Sequence, residues 1–540
     1  PDLRRGYIFL IDKEVAHCYS TDMVDVESEG EWSPWGGEDE VEQPLIAAEV
    51  QQPQANLSDS MEDTRETAAL VGRRSRGRTA QYLTGFAATM GALAAGTVLG
   101  YSSPAGAQLT SNSTSGSLHL TSEENMWFSS SMNLGALVGG PVGGICLNIL
   151  GRRGTMLASS VPFIGGWLLI AFARNFGMLM TGRIITGLCT GITSLIVPTY
   201  IGEYASADVR GTLGSGFQLM VTIGVMYSYL LGALVSTWRV LAGLCIIPPV
   251  IYCVLMFFAK ESPSFLLSKG KEEQAAAALQ FFRGKDGNIQ TELDMMRQSL
   301  EDARRNKASI RILTKPYIFK PLMISLSLMF FQQFSGINPV LFNLTTIFHD
   351  SGSKISDNMS SIIIGLVQVA ATFLATVLMD KAGRKLLLIV SSSVMALSIV
   401  ALGEFFYEKM IDKTWAIDNL GWLPLTSLII FVTAFSIGYG PIPWLMIGEL
   451  FSPNVKEAAA SFSTMFNWSA SFVMTLTFVP LQSALKIHGV YWFYSSVCVV
   501  NLIFCVTLVP ETKGKTLEEI SAHFGAPPPS RNSNPLENEL

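Results

Sequence analysis

Long apolar runs, each about as long as a bilayer-crossing helix and separated by short polar stretches, fill the chain from about residue 80 to residue 510. About 20 residues of α-helix cross the hydrocarbon core of a bilayer. On that rule the chain predicts twelve spans, near 82–102, 127–147, 155–173, 178–200, 213–234, 240–258, 320–347, 360–379, 386–402, 424–447, 458–480 and 490–509. Helix is the required element because hydrocarbon offers no partner to an open backbone N–H or C=O. Basic residues sort to one side: they crowd Arg73 to Arg78, Arg152 and Arg153, the 260–320 segment and Lys381 to Lys385. The opposite connections hold scattered ones such as Arg174, Lys354, Lys409 and Lys413. The positive-inside rule then puts both termini in the cytoplasm, and a plasma-membrane location is expected.

Three segments fall outside this pattern. Residues 1–80 are rich in Glu, Asp, Ser and Gln and lack apolar periodicity, so a disordered acidic cytoplasmic tail is expected there. Residues 260–318 are charged but carry Ala and Leu at helical spacing, which predicts short amphipathic helices beneath the bundle. Residues 511–540 form a second cytoplasmic tail. The spans on either side of the linker, 81–259 and 319–510, repeat one another: IGEYASADVR at Ile201 to Arg210 returns as IGELFSPNVK at Ile447 to Lys456. Gly151-Arg152-Arg153 returns as Gly383-Arg384-Lys385, and Glu261-Ser262-Pro263 as Glu511-Thr512-Lys513, each roughly 230 to 250 residues later. The expected fold is an all-α membrane protein of twelve transmembrane helices in two pseudo-symmetric six-helix halves, a plan many transporters share.

Composition agrees, since 49% hydrophobic and 15% charged residues with a mean hydropathy of +0.36 are wrong for a soluble enzyme of this length. The net charge of -6 comes largely from the leader and gives no sign of a nucleic-acid partner. Cysteine spacing fits neither a metal site nor a disulfide framework. No nucleotide-binding loop or nucleophile constellation occurs, so the sequence indicates no cofactor, no catalytic residue and no enzyme, and no obligate protein partner beyond lipid. Of the Asn-x-Ser/Thr sequons, Asn112 in the first external loop and Asn358 near the membrane are the candidate glycan sites.

Several motifs resemble those of the sugar porter family of the major facilitator superfamily, over roughly residues 82–520. They are Gly182-Arg183, Pro198-x-Tyr200-x-x-Glu203, Arg210-Gly211, Gln332 to Asn338 (QQFSGIN), Gly440 to Trp444 (GPIPW) and Pro510 to Gly514 (PETKG). GYSSP at Gly100 to Pro104 and the acidic leader are most similar to the branch holding insect facilitated trehalose transporters and their hexose-carrying relatives. The resemblance implies passive transport of a neutral sugar, trehalose first, by alternating access. A facilitative or proton-coupled glucose carrier and a membrane sugar sensor with little transport remain as alternatives.

A neutral polyol needs donors and acceptors without net charge, and an amide supplies both on one side chain. Gln332, Gln333 and Asn338 lie in one span, and the resemblance adds Gln218 as a sugar contact. Gln368 and Asn467 are further candidates, although intramembrane amides also serve as glue between helices. Trp444 offers a flat face to the C–H side of a pyranose, and Gly438, Gly440, Pro441 and Pro443 predict a break beside it. Two departures from the family bear on the site. Ser471 replaces a common asparagine, leaving one polar contact unfilled, and Asn343 replaces an aromatic residue that closes the external side.

The repeated charged residues Arg152, Arg153, Arg183, Glu203, Arg210, Asp380, Arg384, Glu449 and Lys456 are expected to form a cytoplasmic gate that locks the two halves when the cytoplasmic side is shut. Asn148, Lys260 and Ser264 depart from the family pattern, so a looser lock is expected in the N-terminal half. Proton-driven relatives carry an acid in the first span after Gly-Tyr, where this chain has Ser102, and no span holds Asp or Glu in its interior. Without a titratable group at the midplane, uncoupled transport is expected.

Overall fold

The computed structural model describes residues 57–111, 118–284, 289–305, 315–352, 356–451, 453–515 and 517–525. Residues Thr64–Leu540 make one compact unit, apart from Pro1–Asp63. The N-terminal half comprises α1 (Leu57–Thr110), α2 (Ser122–Ala171), α3 (Phe176–Tyr204), α4 (Ala207–Leu234), α5 (Trp238–Leu244) and α6 (Ile247–Phe258). The linker holds α7 (Pro263–Ser268), α8 (Glu272–Arg283) and α9 (Ile289–Arg305). The C-terminal half comprises α10 (Pro316–Phe334), α11 (Ile337–Phe342), α12 (Leu344–Ser351), α13 (Asp357–Ala382), α14 (Arg384–Ile411), α15 (Lys413–Leu420), α16 (Leu423–Ile437), α17 (Ile442–Leu450) and α18 (Pro453–Thr507). A short α19 (Leu517–His523) follows.

Among the described residues nine helical stretches are long and apolar enough to cross a membrane. Two of them, in α2 and α18, turn back at Gly151 and Lys486 and so cross twice. The broken run α10–α12 supplies one more crossing, which makes twelve. The outer surface is apolar, with Leu234, Phe258 and Leu397 each at least 72% exposed, as lipid-facing positions must be. Inside, the Tyr101 ring meets Trp167 edge to face at 5.0 Å in the N-terminal half. The halves meet along two seams, α2 against α18 and α4 against α13.

Helix starts follow local chemistry. Thr121 and Glu124 form a reciprocal capping box at α2, and Asn175, Ser356 and Asp412 each accept a main-chain N–H at the starts of α3, α13 and α15. The linker is fastened to the N-terminal half. Phe282 is buried and stacks on Tyr204 at 4.7 Å, while Gln81 Nε2 donates to the Phe282 carbonyl at 2.9 Å. Arg283 reaches the Tyr204 carbonyl at 2.9 Å and Glu292 at 2.5 Å, which brings α9 along.

Three expectations change. The acidic tail was expected to run to residue 80, but helix begins at Leu57, because MEDTRETAALVGRR is rich in helix-forming Ala, Glu, Leu and Arg. The rest of that tail lies outside the described residues. The spans expected to end at 102 and 402 run on, since α1 continues to Thr110 and α14 to Ile411 before α15. The expected seventh span is broken at Gly336 instead of continuous.

Candidate functional site

Gly336 makes the break between α10 and α11. Its φ of 85° is left-handed, and a Cβ there would lie 2.2 Å from the Tyr494 ring, so only glycine fits on both counts. The break turns Asn338 back toward the end of α10. A second break, between α16 and α17, falls where the Gly-Pro pattern predicted it. Pro443 stands four residues after Tyr439 and has no N–H, so the Tyr439 carbonyl has no helical donor. Gln332 Nε2 fills that place at 2.6 Å and also reaches the Gly440 carbonyl at 3.1 Å.

From that carbonyl a directional chain of amides runs through the bundle. Gln332 Oε1 accepts from Asn467 Nδ2 at 2.7 Å, Asn467 Oδ1 accepts from Gln333 Nε2 at 3.2 Å, and Gln333 Oε1 accepts from Asn338 Nδ2 at 2.6 Å. Asn338 Nδ2 also donates to Ser471 Oγ at 2.7 Å. Gln332, Gln333 and Asn467 are buried, Asn338 is half-buried, and the set bears no net charge. Four sequence candidates are thus brought together. Ser471 takes up the polar contact that its replacement of asparagine was expected to leave unfilled.

Gln218 on α4 and Trp444 on α17 are half-buried, and Gln368 on α13 is buried with its Oε1 unpartnered. Among the described residues no hydrogen bond joins these three to the amide chain. Ser436, buried with an unpartnered hydroxyl just before the second break, was missed in the sequence because a lone serine in an apolar span carries no signal. Tyr439 was missed because its part is played by a main-chain carbonyl.

Among the described residues three sets of hydrogen bonds tie the halves together. Ser103 Oγ meets Thr345 Oγ1 at 2.9 Å, Asn133 Nδ2 donates to Thr475 Oγ1 at 3.0 Å, and Tyr229 Oη donates to the Leu341 carbonyl at 3.0 Å. All three lie away from the end that carries Gly151, Gly383 and the linker, here termed the basic end. Asn343, expected to replace a closing aromatic, turns its Nδ2 to the Pro339 carbonyl of its own segment at 2.9 Å.

At the basic end the duplication is built in atomic detail. Gly151 and Gly383 have φ of 81° and 87°. Each turn is held by a carboxylate: Glu261 accepts from the Arg152 and Arg153 N–H groups at 2.9 and 3.1 Å, and Glu511 from those of Arg384 and Lys385 at 3.0 Å each. Arg152 then pairs with Glu203 at 2.6 Å and Arg384 with Glu449 at 2.9 Å. Ser262 donates to Glu203, and Thr512 to Glu449.

The expected lock belongs to a conformation shut at the basic end; here the Arg152–Glu203 and Arg384–Glu449 pairs each join residues of one half and brace it. Two expectations about the gate are corrected. The N-terminal pair is no looser than the C-terminal one, because Ser262 supplies the hydroxyl that Thr512 supplies there. Arg183 is not at this level. It lies on α3 roughly 30 Å from Glu203 at 1.5 Å rise per residue, fully buried, donating to the Val98 and Phe128 carbonyls and to Ser102 Oγ.

Arg153 donates to the Met256 and Phe257 carbonyls, and Arg210 is exposed with a bond to the Ala205 carbonyl. The side chains of Asp380 and Lys456 lie outside the described residues, as does Asn112. Asn358 is exposed at the start of α13. Burial works against a charge at Glu511, but N–H groups of Lys513, Arg384, Lys385 and Thr512 outweigh it and hold the carboxyl below its ordinary range.

Comparison with known proteins places this arrangement. The family model described as sugar (and other) transporter matches residues 84–524. The facilitated trehalose transporter Tret1 of Polypedilum vanderplanki is 43% identical, over 82% of this chain and 87% of that protein. Tret1 of Apis mellifera ligustica is 42% identical, over 83% and 89%. Among solved structures, the major facilitator superfamily proton:xylose symporter XylE bound to 6-bromo-6-deoxy-D-glucose superposes with a TM-score of 0.69 at 26% identity, over 83% of this chain and all of that one.

Proposed function

The chain belongs to the sugar transporter family, and from that premise we propose that it carries trehalose passively across the plasma membrane by alternating access, with a hexose as the alternative cargo. The observation that supports this most directly is the buried, uncharged amide chain at two helix breaks. The amides satisfy one another. A sugar hydroxyl, both donor and acceptor, can replace one partner at a time without leaving a group unpaired. Each exchange is worth only about 0.5–1.5 kcal/mol net, so several select a polyol and none prevents its release. Trp444 and Gln368 complete the reading as an apolar platform and a free acceptor, and Gln218 as the contact from the N-terminal half.

The concentration of basic residues at one end supports a cytoplasmic basic end and cytoplasmic termini. On that reading the described conformation is closed outside by the Ser103, Asn133 and Tyr229 contacts, and outward opening separates them while the braced halves rock as units. Arg183 supports uncoupled transport, because the first-span residue beside it is Ser102, which takes no proton at physiological pH. The test is uptake of labelled trehalose and glucose by proteoliposomes holding the full chain. Saturable trehalose entry, inhibited by unlabelled trehalose, is expected; saturable glucose entry without trehalose entry reassigns the cargo to hexose.

A further inference from the structure

The direction of the amide chain is set at one end. A carbonyl oxygen accepts and never donates, so only the NH2 side of Gln332 can face Tyr439 O. With Nε2 committed there, Gln332 Oε1 must accept, which fixes Asn467, then Gln333, then Asn338 in turn. At the far end Asn338 Oδ1 has no partner among the described residues and is left as an open acceptor. One main-chain oxygen therefore decides which sites along the cluster are donors and which are acceptors.

What holds that oxygen in place is the Tyr439 side chain. It is fully buried, and its hydroxyl donates to Asn501 Oδ1 and lies 3.1 Å from Cys505 Sγ, both on α18. Asn501 Nδ2 reaches Ser392 Oγ on α14 at 3.2 Å, and Ser391 Oγ on the same helix donates to the Ala434 carbonyl at 2.7 Å. Next to it, a Cβ on Gly438 would sit 2.5 Å from that of Ser391, so the break is seated tightly on α14. The break is thus pinned to α18 through the phenol, and to α14 through the Ala434 carbonyl, Gly438 and the Asn501–Ser392 bond.

We infer that Tyr439 is a positioning residue for substrate binding: anchored on α14 and α18, it holds its own carbonyl against Gln332 and so sets the donor and acceptor pattern that the sugar meets. This rests on the transport reading above. It also names a specificity device that is not itself a sugar-contacting side chain. Tyr439→Phe keeps the ring and loses the anchor, and Asn501→Leu removes the same bond from the other side.

The experiment combines equilibrium binding of labelled trehalose and glucose with amide hydrogen exchange across 436–445, on purified full-length protein. Wild type, Tyr439→Phe, Asn501→Leu, Gln332→Ala and Tyr439→Phe with Gln332→Ala are compared. Tyr439→Phe and Asn501→Leu are each expected to weaken sugar binding by about three- to tenfold, the loss of roughly one net hydrogen bond. They are also expected to raise exchange across 436–445 in sugar-free protein. If Tyr439 acts through Gln332, the double variant binds no more weakly than Gln332→Ala alone. Multiplying effects of the two substitutions overturn the proposal, and so does exchange unchanged from wild type. A wild type that binds neither sugar sinks the transport reading instead, while the exchange comparison still decides whether Tyr439 holds the break.

Discussion

Arg152 and Glu203 meet at 2.6 Å within one half of the molecule, and Arg384 and Glu449 repeat the pair at 2.9 Å in the other. The turns that present the two arginines need positive φ at Gly151 and Gly383, and the glutamates end the helices that pack beside them. Each half thereby carries its own brace, which suits bodies that must rock without deforming. Glu203→Gln and Glu449→Gln should each lower stability by about 1–3 kcal/mol, the usual cost of weakening a charged hydrogen bond at a partly buried site. The two pairs lie in different halves, so the double variant should show the sum. Thermal unfolding of the detergent-solubilised protein checks this, and strong non-additivity would show that the pairs act across the halves.

The contact of Ser103 with Thr345 supplies a direct test of the rocking. With Ser103→Cys and Thr345→Cys together, oxidation should join the halves at the end away from the basic loops. Transport should then stop and return on reduction, while either single variant stays active under oxidant. Undiminished flux in the cross-linked protein would mean that this contact does not open during the cycle.

In the amide chain, removal of an inner link should cost more than removal of its open end. Asn467 donates to Gln332 and accepts from Gln333, so Asn467→Ala leaves Gln332 Oε1 and Gln333 Nε2 only the long 3.4 Å bond to each other. A loss of about 1–3 kcal/mol in sugar binding is expected. Asn338→Ala frees one acceptor on Gln333 and one on Ser471 at a half-buried place, so its cost should be smaller. Equal losses would argue against a directional chain.

The number and order of the spans were readable because about 20 apolar residues per crossing and the basic loops are signals carried by side-chain type alone. The break at Pro441 and Pro443 was readable for the same reason, since proline removes an N–H wherever it stands. The break at Gly336 was not, because what forbids a side chain there is the Tyr494 ring, which arrives from a distant part of the chain. Gln332, Gln333, Asn338 and Asn467 stood out as amides in apolar spans. The carbonyl of Tyr439 could not, because every residue has one. Arg183 was misplaced because it was grouped by charge with the repeated basic motifs, although a span over 178–200 already puts it at the end opposite Glu203.

Acid should loosen the basic end through Glu511. Its folded-state pKa lies below the unfolded value, so the stability it contributes is complete above the unfolded pKa and is lost as pH falls through the folded one. Melting temperature should therefore decline on acidification below about pH 4, the ordinary glutamate range. Glu511→Gln should start lower at neutral pH and decline less. A variant as acid-sensitive as the wild type would place the titrating group elsewhere.

On the proposed function the chain moves trehalose down its gradient and nothing more. The deciding measurement is the steady-state ratio of labelled trehalose inside to outside proteoliposomes under an imposed inward proton gradient. Entry that is saturable and levels off at a ratio of about one, with or without a protonophore, is the expected result, because Ser102 and not a carboxylate stands beside Arg183 in the first span. Accumulation above that ratio, collapsed by the protonophore, would contradict the account.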